Sequence, residues 1–451
     1  MQENLKRTIG VLGLACAVVN ITVGTGIFVL PALVAENLGA AAIVCFFICG
    51  LLIFLIALCF AEVGSKVAVS GGTYAYIETA FGPFAGFLAN NIFWLGSCVL
   101  SDAAIANALT KTLSFFLPFI NAAVFRPVFF LLLFGSLAYI NIRGAKYGVR
   151  FIMFTTIAKL IPLLLIIGFG TGHIALENLQ WKVSLSLNNI GASSLILFYA
   201  FLGIETAVTN GGEFKNPAKT VPLGILSGLS FVVILYIAIQ LITQGILGDQ
   251  LIANKEAPLM AVAKLILGPA GITLIVVGTA VSMLGSLSGA ILAIPRVLFA
   301  GARDGILPKG LSKVHPQFFT PHIAIIVYAT LGFLFAVFGV FKQLIILSSA
   351  ATLLIYLGVV LATIKLRYKK FAAEKTFTIP GGITVPVLAT AIIIWLLSNL
   401  SQEEIIGIGI FVLVLAIIFL IMKMIKHKKM QFQVMKEIAE ELERANIKKD
   451  K

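Results

Sequence analysis

Two glycines, Gly24 and Gly26, interrupt the first long apolar stretch of this chain within Asn20 to Pro31, NITVGTGIFVLP. A helix that crosses lipid closes its own backbone hydrogen bonds. Residues that unwind it at mid-depth are tolerated only where the freed N–H and C=O groups meet protein, water or a ligand. The pattern predicts a helix break, with the N–H groups of Thr25, Gly26 and Ile27 opening the outer half-helix. Unsatisfied amides and the positive end of a helix dipole suit a carboxylate; close helix packing is the other use of such small residues. In the second half of the chain, Phe198 to Gly212, FYAFLGIETAVTNGG, is interrupted at Gly203, with Glu205 just beyond. Carbonyls freed around Tyr199 and Leu202 would accept hydrogen bonds from an ammonium, and Tyr199 offers an aromatic wall. Two broken segments at corresponding places in two halves point to a transporter substrate site. The two charges such a site would recognise are those of an α-amino acid.

Ionisable groups deep in apolar stretches are costly and mark function or structural pairing. Lys159 stands about eleven residues, roughly 16 Å, from either end of its span, beyond the reach of a snorkelling side chain. It is expected to exchange a proton or to act as a fixed cation in place of a metal ion, with the first break and the hydroxyls of Ser282, Ser286 and Ser288 as candidate partners. Glu205 is expected to brace the second break, to be protonated or to meet a cation. Asp102, beside Ser101, lines an aqueous path or forms an internal pair. The four histidines, His173, His315, His322 and His427, fall at loops and span ends. No H-E-x-x-H zinc motif and no phosphate loop occurs, so neither metal nor cofactor is expected and transport is not expected to run on ATP bound by this chain.

The elements that must position these groups follow from composition. The chain has 451 residues, 60% hydrophobic and 12% charged, in runs too long for soluble helices. At roughly twenty residues per span, about twelve spans are expected, near 9–33, 40–64, 83–110, 127–143, 148–170, 191–210, 222–245, 270–300, 322–340, 344–366, 382–399 and 404–424. The net charge of +14 lies mainly in alternate loops, including Arg143, Lys146, Arg150, Lys215, Lys219, Arg303, Lys309 and Lys365. That distribution argues against nucleic acid and places both termini in the cytoplasm. The five cysteines all lie within predicted spans and read as small packing residues. Residues 62–81 read as a polar cytoplasmic or re-entrant connector, 249–267 as a short outer helix, 367–375 as a basic run against lipid, and 426–451 as a solvated or surface helix. Ala80 to Gly86 and Ile266 to Gly271 share a Gly-Pro helix start on opposite sides of the bilayer, which suggests inverted repeats.

Several motifs together resemble the amino acid-polyamine-organocation superfamily: GTGIF at Gly24 to Phe28, GGTYAYIETAFGPFAGF at Gly71 to Phe87, FLGIE at Phe201 to Glu205, EFKNPAKTVP at Glu213 to Pro222, and ARDGILP at Ala302 to Pro308. The resemblance implies an all-α membrane fold of the leucine-transporter type. Residues 1–170 would form the first inverted repeat, 190–366 the second, 380–424 two further spans and 425–451 a cytoplasmic tail. It also implies carboxylate contacts at Thr25 and Gly26, amine contacts at the carbonyls of Thr22, Tyr199 and Leu202, and an aromatic gate at Tyr199. Lys159 resembles the fifth-helix lysine of sodium-independent members. Ser101 and Ala290 stand where an arginine/agmatine antiporter has its asparagine and its substrate-stacking aromatic, so arginine specificity is not implied. The expected function is proton-coupled symport of amino acids at the plasma membrane, with an exchanger as the near alternative. A channel lacks its expected charge rings, and a membrane enzyme lacks a nucleophile-base constellation.

Overall fold

The computed structural model describes residues 9–67, 72–143, 146–182, 185–208, 214–303, 305, 307–368 and 377–424. It is helical, with no strand among the described residues; an isolated β-bridge joins Ile9 to Phe214. Among the described residues, eight helices or helix runs are long and apolar enough to cross a membrane, and four shorter apolar helices accompany them. Large hydrophobic side chains stand exposed along them, among them Leu12, Leu132 and Phe338. Exposure on that scale suits helices whose outer faces meet lipid rather than water.

In chain order the helices are α1 (Val11–Thr22), α2 (Gly26–Leu38), α3 (Ile43–Lys66), α4 (Thr73–Phe81), α5 (Pro83–Asn91), α6 (Leu100–Leu113), α7 (Phe125–Arg143), α8 (Lys146–Gly170), α9 (Leu187–Phe198), α10 (Ile204–Ala207), α11 (Pro217–Leu247), α12 (Gln250–Ala253), α13 (Pro258–Arg303), α14 (His322–Phe338), α15 (Phe341–Leu366) and α16 (Thr384–Leu397). Between α5 and α6 the backbone winds as a π-helix over Ile92–Val99. α17 (Gln402–Met424), apolar and mostly exposed, belongs to a second compact unit that begins at Gln402.

Small residues set how closely these helices approach. A Cβ on Gly228 would stand 2.8 Å from the Ala15 carbonyl oxygen, so α11 presses directly on the α1 backbone. A Cβ on Gly278 or Gly285 would stand 2.5 Å from Pro162 Cγ or Thr155 Oγ1, which seats α13 on the part of α8 that carries Lys159. Without a hydrophobic drive between helices in lipid, such close van der Waals packing carries much of the association.

Two local expectations change, and a third gains detail. Residues 62–81 are not a plain connector: α3 continues through Lys66, and α4 buries Tyr76, Ile77 and Ala80 because its apolar residues recur at helical spacing. The segment at 249–267 holds α12 and the first arm of α13, which bends at Gly268 (φ 63°) ahead of Pro269. Cys16 is exposed, whereas Cys45, Cys49 and Cys59 are buried. Most of the basic run at 367–375, the tail beyond 424 and residues 209–213 lie outside the described residues.

Candidate functional site

α1 stops at Thr22 and α2 starts at Gly26, so the first apolar segment is broken at Val23–Gly24–Thr25. The turn closes on itself: the Gly24 amide donates to the Thr22 carbonyl at 2.7 Å instead of reaching back to Asn20. Among the described residues, the amides of Thr25, Gly26 and Ile27 donate to no backbone acceptor. They are the unpaired donors every helix N-terminus carries. Thr22 and Thr25 are buried, and neither hydroxyl has a hydrogen-bond partner.

The second break mirrors the first. α9 ends at Phe198, a 3-10 turn spans Tyr199–Phe201, Leu202 is extended, and Gly203 takes φ 134° before α10 begins. The breaks lie against each other. A Cβ on Gly26 would fall 2.7 Å from Ala200 Cα, and one on Gly203 would fall 2.6 Å from Ile21 Cγ2 and 3.3 Å from the Thr22 nitrogen. The two glycines therefore serve close backbone approach as well as unwinding. No backbone N–H among the described residues reaches the carbonyls of Ile21 or Leu202.

Tyr236 of α11 joins the two breaks. Its hydroxyl lies 2.8 Å from the Thr22 carbonyl and 3.0 Å from the Ala200 carbonyl, with its ring edge-on to Phe201. The Thr22 carbonyl thus already faces the Gly24 amide and this phenol. Glu205 accepts from the Gly203 amide at 3.0 Å and from the Tyr356 hydroxyl of α15. Its carboxyl holds the backbone of its own break. Tyr199 is buried and hydrogen-bonded to Ser101 of α6, hydroxyl to hydroxyl at 3.1 Å.

Lys159 is 2% exposed, and its Nζ donates to the Asn20 carbonyl at 2.5 Å. That carbonyl lost its helical donor when Gly24 turned inward. A cation at the negative end of α1 is electrostatically favourable. Ser282 is fully buried without a hydroxyl partner, on the α13 face flanked by the Gly278 and Gly285 contacts to α8. Ser286 Oγ lies 4.0 Å from where a Gly24 Cβ would stand. Ala290, one turn further along α13, is half-buried. Asp102 is 3% exposed and accepts from the Tyr328 hydroxyl of α14 at 2.9 Å.

The two sides of the first break differ. On the α1 side a cavity of about 610 Å³ is lined by Ile9 to Leu14, Ala17, Ala207 and Phe214. On the α2 side a small cavity of about 40 Å³ is lined by residues including Phe28, Thr112 and Thr279. Lys111 pairs with Glu256 there at 2.8 Å, and Lys255 with Glu36 at 3.0 Å.

The sequence reading passed over Tyr236, Tyr328 and Tyr356, which hold the two breaks and the two deep acids. A signal was available. A tyrosine deep in an apolar helix must find a partner for its hydroxyl, and unpaired backbone carbonyls and buried acids are natural ones.

An amino acid permease family model matches residues 9–429. The chain is 30% identical to the serine/threonine exchanger SteT of Bacillus subtilis over 425 residues, 91% of this chain and 95% of the relative. It is 27% identical to the branched-chain amino acid permease BcaP of the same organism over 453 residues, 95% of each chain. It is 28% identical to that organism's methylthioribose transporter over 419 residues, covering 88% of this chain and 89% of the relative. A chain matched along nearly its whole length, with both helices interrupted at the motifs that suggested the likeness, belongs to the amino acid permease family of the amino acid-polyamine-organocation superfamily.

Proposed function

We propose that this protein moves amino acids across the plasma membrane by alternating access, as a proton-coupled, sodium-independent symporter. The observation that carries the reading is the pair of interlocked breaks. Unpaired amides at Thr25 to Ile27 meet unpaired carbonyls at Ile21 and Leu202 across a Gly26–Ala200 contact. A carboxylate on the amides and an ammonium on the carbonyls would satisfy both sets. In this reading Thr22, Gly24, Thr25, Gly26, Ile27, Tyr199, Leu202 and Gly203 bind the shared amino acid backbone, and Ser101 and Ala290 bound the side-chain space. Lys159, Glu205, Ser282 and Ser286 couple and brace the breaks. The Thr22 carbonyl would join the amine site only if Tyr236 yields its bond.

Twelve spans as two inverted repeats, 1–170 and 190–366, followed by 380–424 and a cytoplasmic tail from 425, complete the proposed architecture, with both termini in the cytoplasm. The wide cavity beside α1 and the narrow, ion-paired one beside α2 support an inward-open form of an alternating-access cycle. A lysine amine on the Asn20 carbonyl supports sodium independence, because it can stand as a cation in place of sodium or exchange a proton during the cycle.

Exchange is the second reading, favoured by the likeness to SteT, named an exchanger. The methylthioribose relative makes that thiosugar a substrate to include in any screen. Uptake of labelled amino acids into proteoliposomes, with and without a pH gradient, sodium or internal substrate, separates these readings. Symport predicts uptake driven by inward proton flow and indifferent to sodium. Uptake that ignores the pH gradient and requires internal amino acid would establish exchange instead, and Lys159→Ala is expected to abolish or uncouple the proton dependence.

A further inference from the structure

Asp102 and Ser101 are consecutive residues about 100° apart on the same helical turn, so they face different neighbours. Ser101 holds the Tyr199 hydroxyl at the second break, and Asp102 meets Tyr328 of α14. The π-helix over Ile92–Val99 runs directly into this turn and fixes both directions; such wide turns are rare and concentrate at functional positions.

The surroundings of Asp102 suit a neutral acid. An ionised carboxylate offers about four acceptor sites, yet the described residues supply one hydroxyl donor, from Tyr328. Among the described residues, the titratable neighbours of Asp102 include Tyr328, Tyr199 and Cys98, which stands one turn back and is also within electrostatic reach of Glu205. Arg126 of α7 donates to Asn107, five residues further along α6, and Tyr328 is the side-chain partner of Asp102; the other charged residues on the helices packed around α6 are held elsewhere. Lys111 pairs with Glu256, Arg296 donates to the Leu292 carbonyl, Lys342 pairs with Glu36 and Lys365 lies over Phe81. Lys264 and Arg303 are exposed, His322 stacks edge-on to His315, and Glu205 is bonded to Tyr356. A buried charge with no cation and one donor is strongly disfavoured.

We infer that Asp102 is a proton-binding site whose occupancy sets the affinity of the amino acid site through the Ser101–Tyr199 contact. Oδ2 accepts from Tyr328, which leaves Oδ1 as the oxygen that takes the proton. Binding adds one proton from water to the carboxylate and breaks no other bond. The inference rests on the proposed substrate site at the breaks but not on symport, because linkage between proton and substrate affinity would hold equally in an exchanger.

The test uses full-length protein in lipid nanodiscs. Amino acid affinity is measured across a pH series, and infrared spectra are recorded over the same titration. The wild type is expected to lose affinity with rising pH, by up to about tenfold per pH unit for one linked proton. Its spectrum is expected to lose a protonated-carboxyl band over the same range. Asp102→Asn, which resembles the neutral acid in shape, should bind with a flat pH profile and lack that band. Glu205→Gln should keep it. Tyr328→Phe removes the one donor to the ionised form and should move the affinity profile to higher pH, which keeps the test informative if the asparagine variant folds poorly. A wild-type pH profile in Asp102→Asn, or an unchanged carboxyl band, would overturn the inference. Uptake that ignores a pH gradient would overturn symport alone.

Discussion

Removing one oxygen, in Tyr236→Phe, should loosen both helix breaks at once. The ring keeps its volume and its contact with Phe201, so packing changes little. What is lost is the hydroxyl 2.8 Å from the Thr22 carbonyl and 3.0 Å from the Ala200 carbonyl. A phenol donates a single proton, so the loss amounts to about one hydrogen bond rather than two. Thr22 keeps the Gly24 amide, and the Ala200 carbonyl bears most of the deficit. Hydrogen bonds between membrane helices contribute about 0.6–2 kcal/mol, and an orphaned buried acceptor costs about 1–3 kcal/mol. The overlap is about 1–2 kcal/mol, roughly a 5- to 30-fold change in an equilibrium constant. Because the bond joins the two segments proposed to hold the substrate, that deficit should fall on binding as well as on stability. Ligand-induced thermal shifts should first identify the best amino acid. Equilibrium binding of that amino acid to purified Tyr236→Phe should then weaken within this range, with a lowered melting temperature. A variant with wild-type affinity and melting would refute the claim that Tyr236 holds the breaks in their binding geometry.

Other parts of the structure make equally specific demands. Glu205→Ala leaves the Gly203 amide and the Tyr356 hydroxyl without their acceptor, at about 1–3 kcal/mol for each. Glu205→Gln, which keeps an acceptor, should melt much closer to wild type. Gly203→Ala puts a methyl group 2.6 Å from Ile21 Cγ2 on a backbone at φ 134° and should destabilise by about 1–3 kcal/mol, with loss of binding. Gly24→Ala, whose Cβ would meet nothing nearer than 3.9 Å, should melt near wild type. At the end of α3, fully buried Glu62 accepts from Arg367 at 2.8 and 2.6 Å, from Lys66 at 2.8 Å and from the Ile379 amide at 3.0 Å. Glu62→Ala breaks a buried pair and should lose about 3–5 kcal/mol in thermal denaturation, whereas a loss below about 1 kcal/mol, the level of a solvent-exposed pair, would contradict that burial.

What could be read from the sequence was local. Gly24, Gly26 and Gly203 mark interruptions because glycine and hydropathy act over a few neighbouring residues, and Lys159 announces itself as a charge far from either end of an apolar run. The structure puts a break at each glycine cluster and Lys159 against the first of them. The partnerships across the chain were not legible. Tyr236 meets carbonyls at Thr22 and Ala200, Tyr328 meets Asp102, and Tyr356 meets Glu205 over separations of 36 to 226 residues. Such pairings depend on how helices are arranged in space, which no short-range pattern encodes. Helix α4 was missed for a related reason: its polar residues resemble a loop until the burial of Tyr76 is seen.

In the proposed function, the unpaired backbone groups of the two breaks recognise the amino acid. A density map of the full-length protein saturated with its best-stabilising amino acid tests this most directly. The carboxylate should lie against the amides of Thr25, Gly26 and Ile27, with the ammonium toward the carbonyls of Ile21 and Leu202. Density confined to the cavity lined by Ile9 to Leu14, with both breaks vacant, would contradict it.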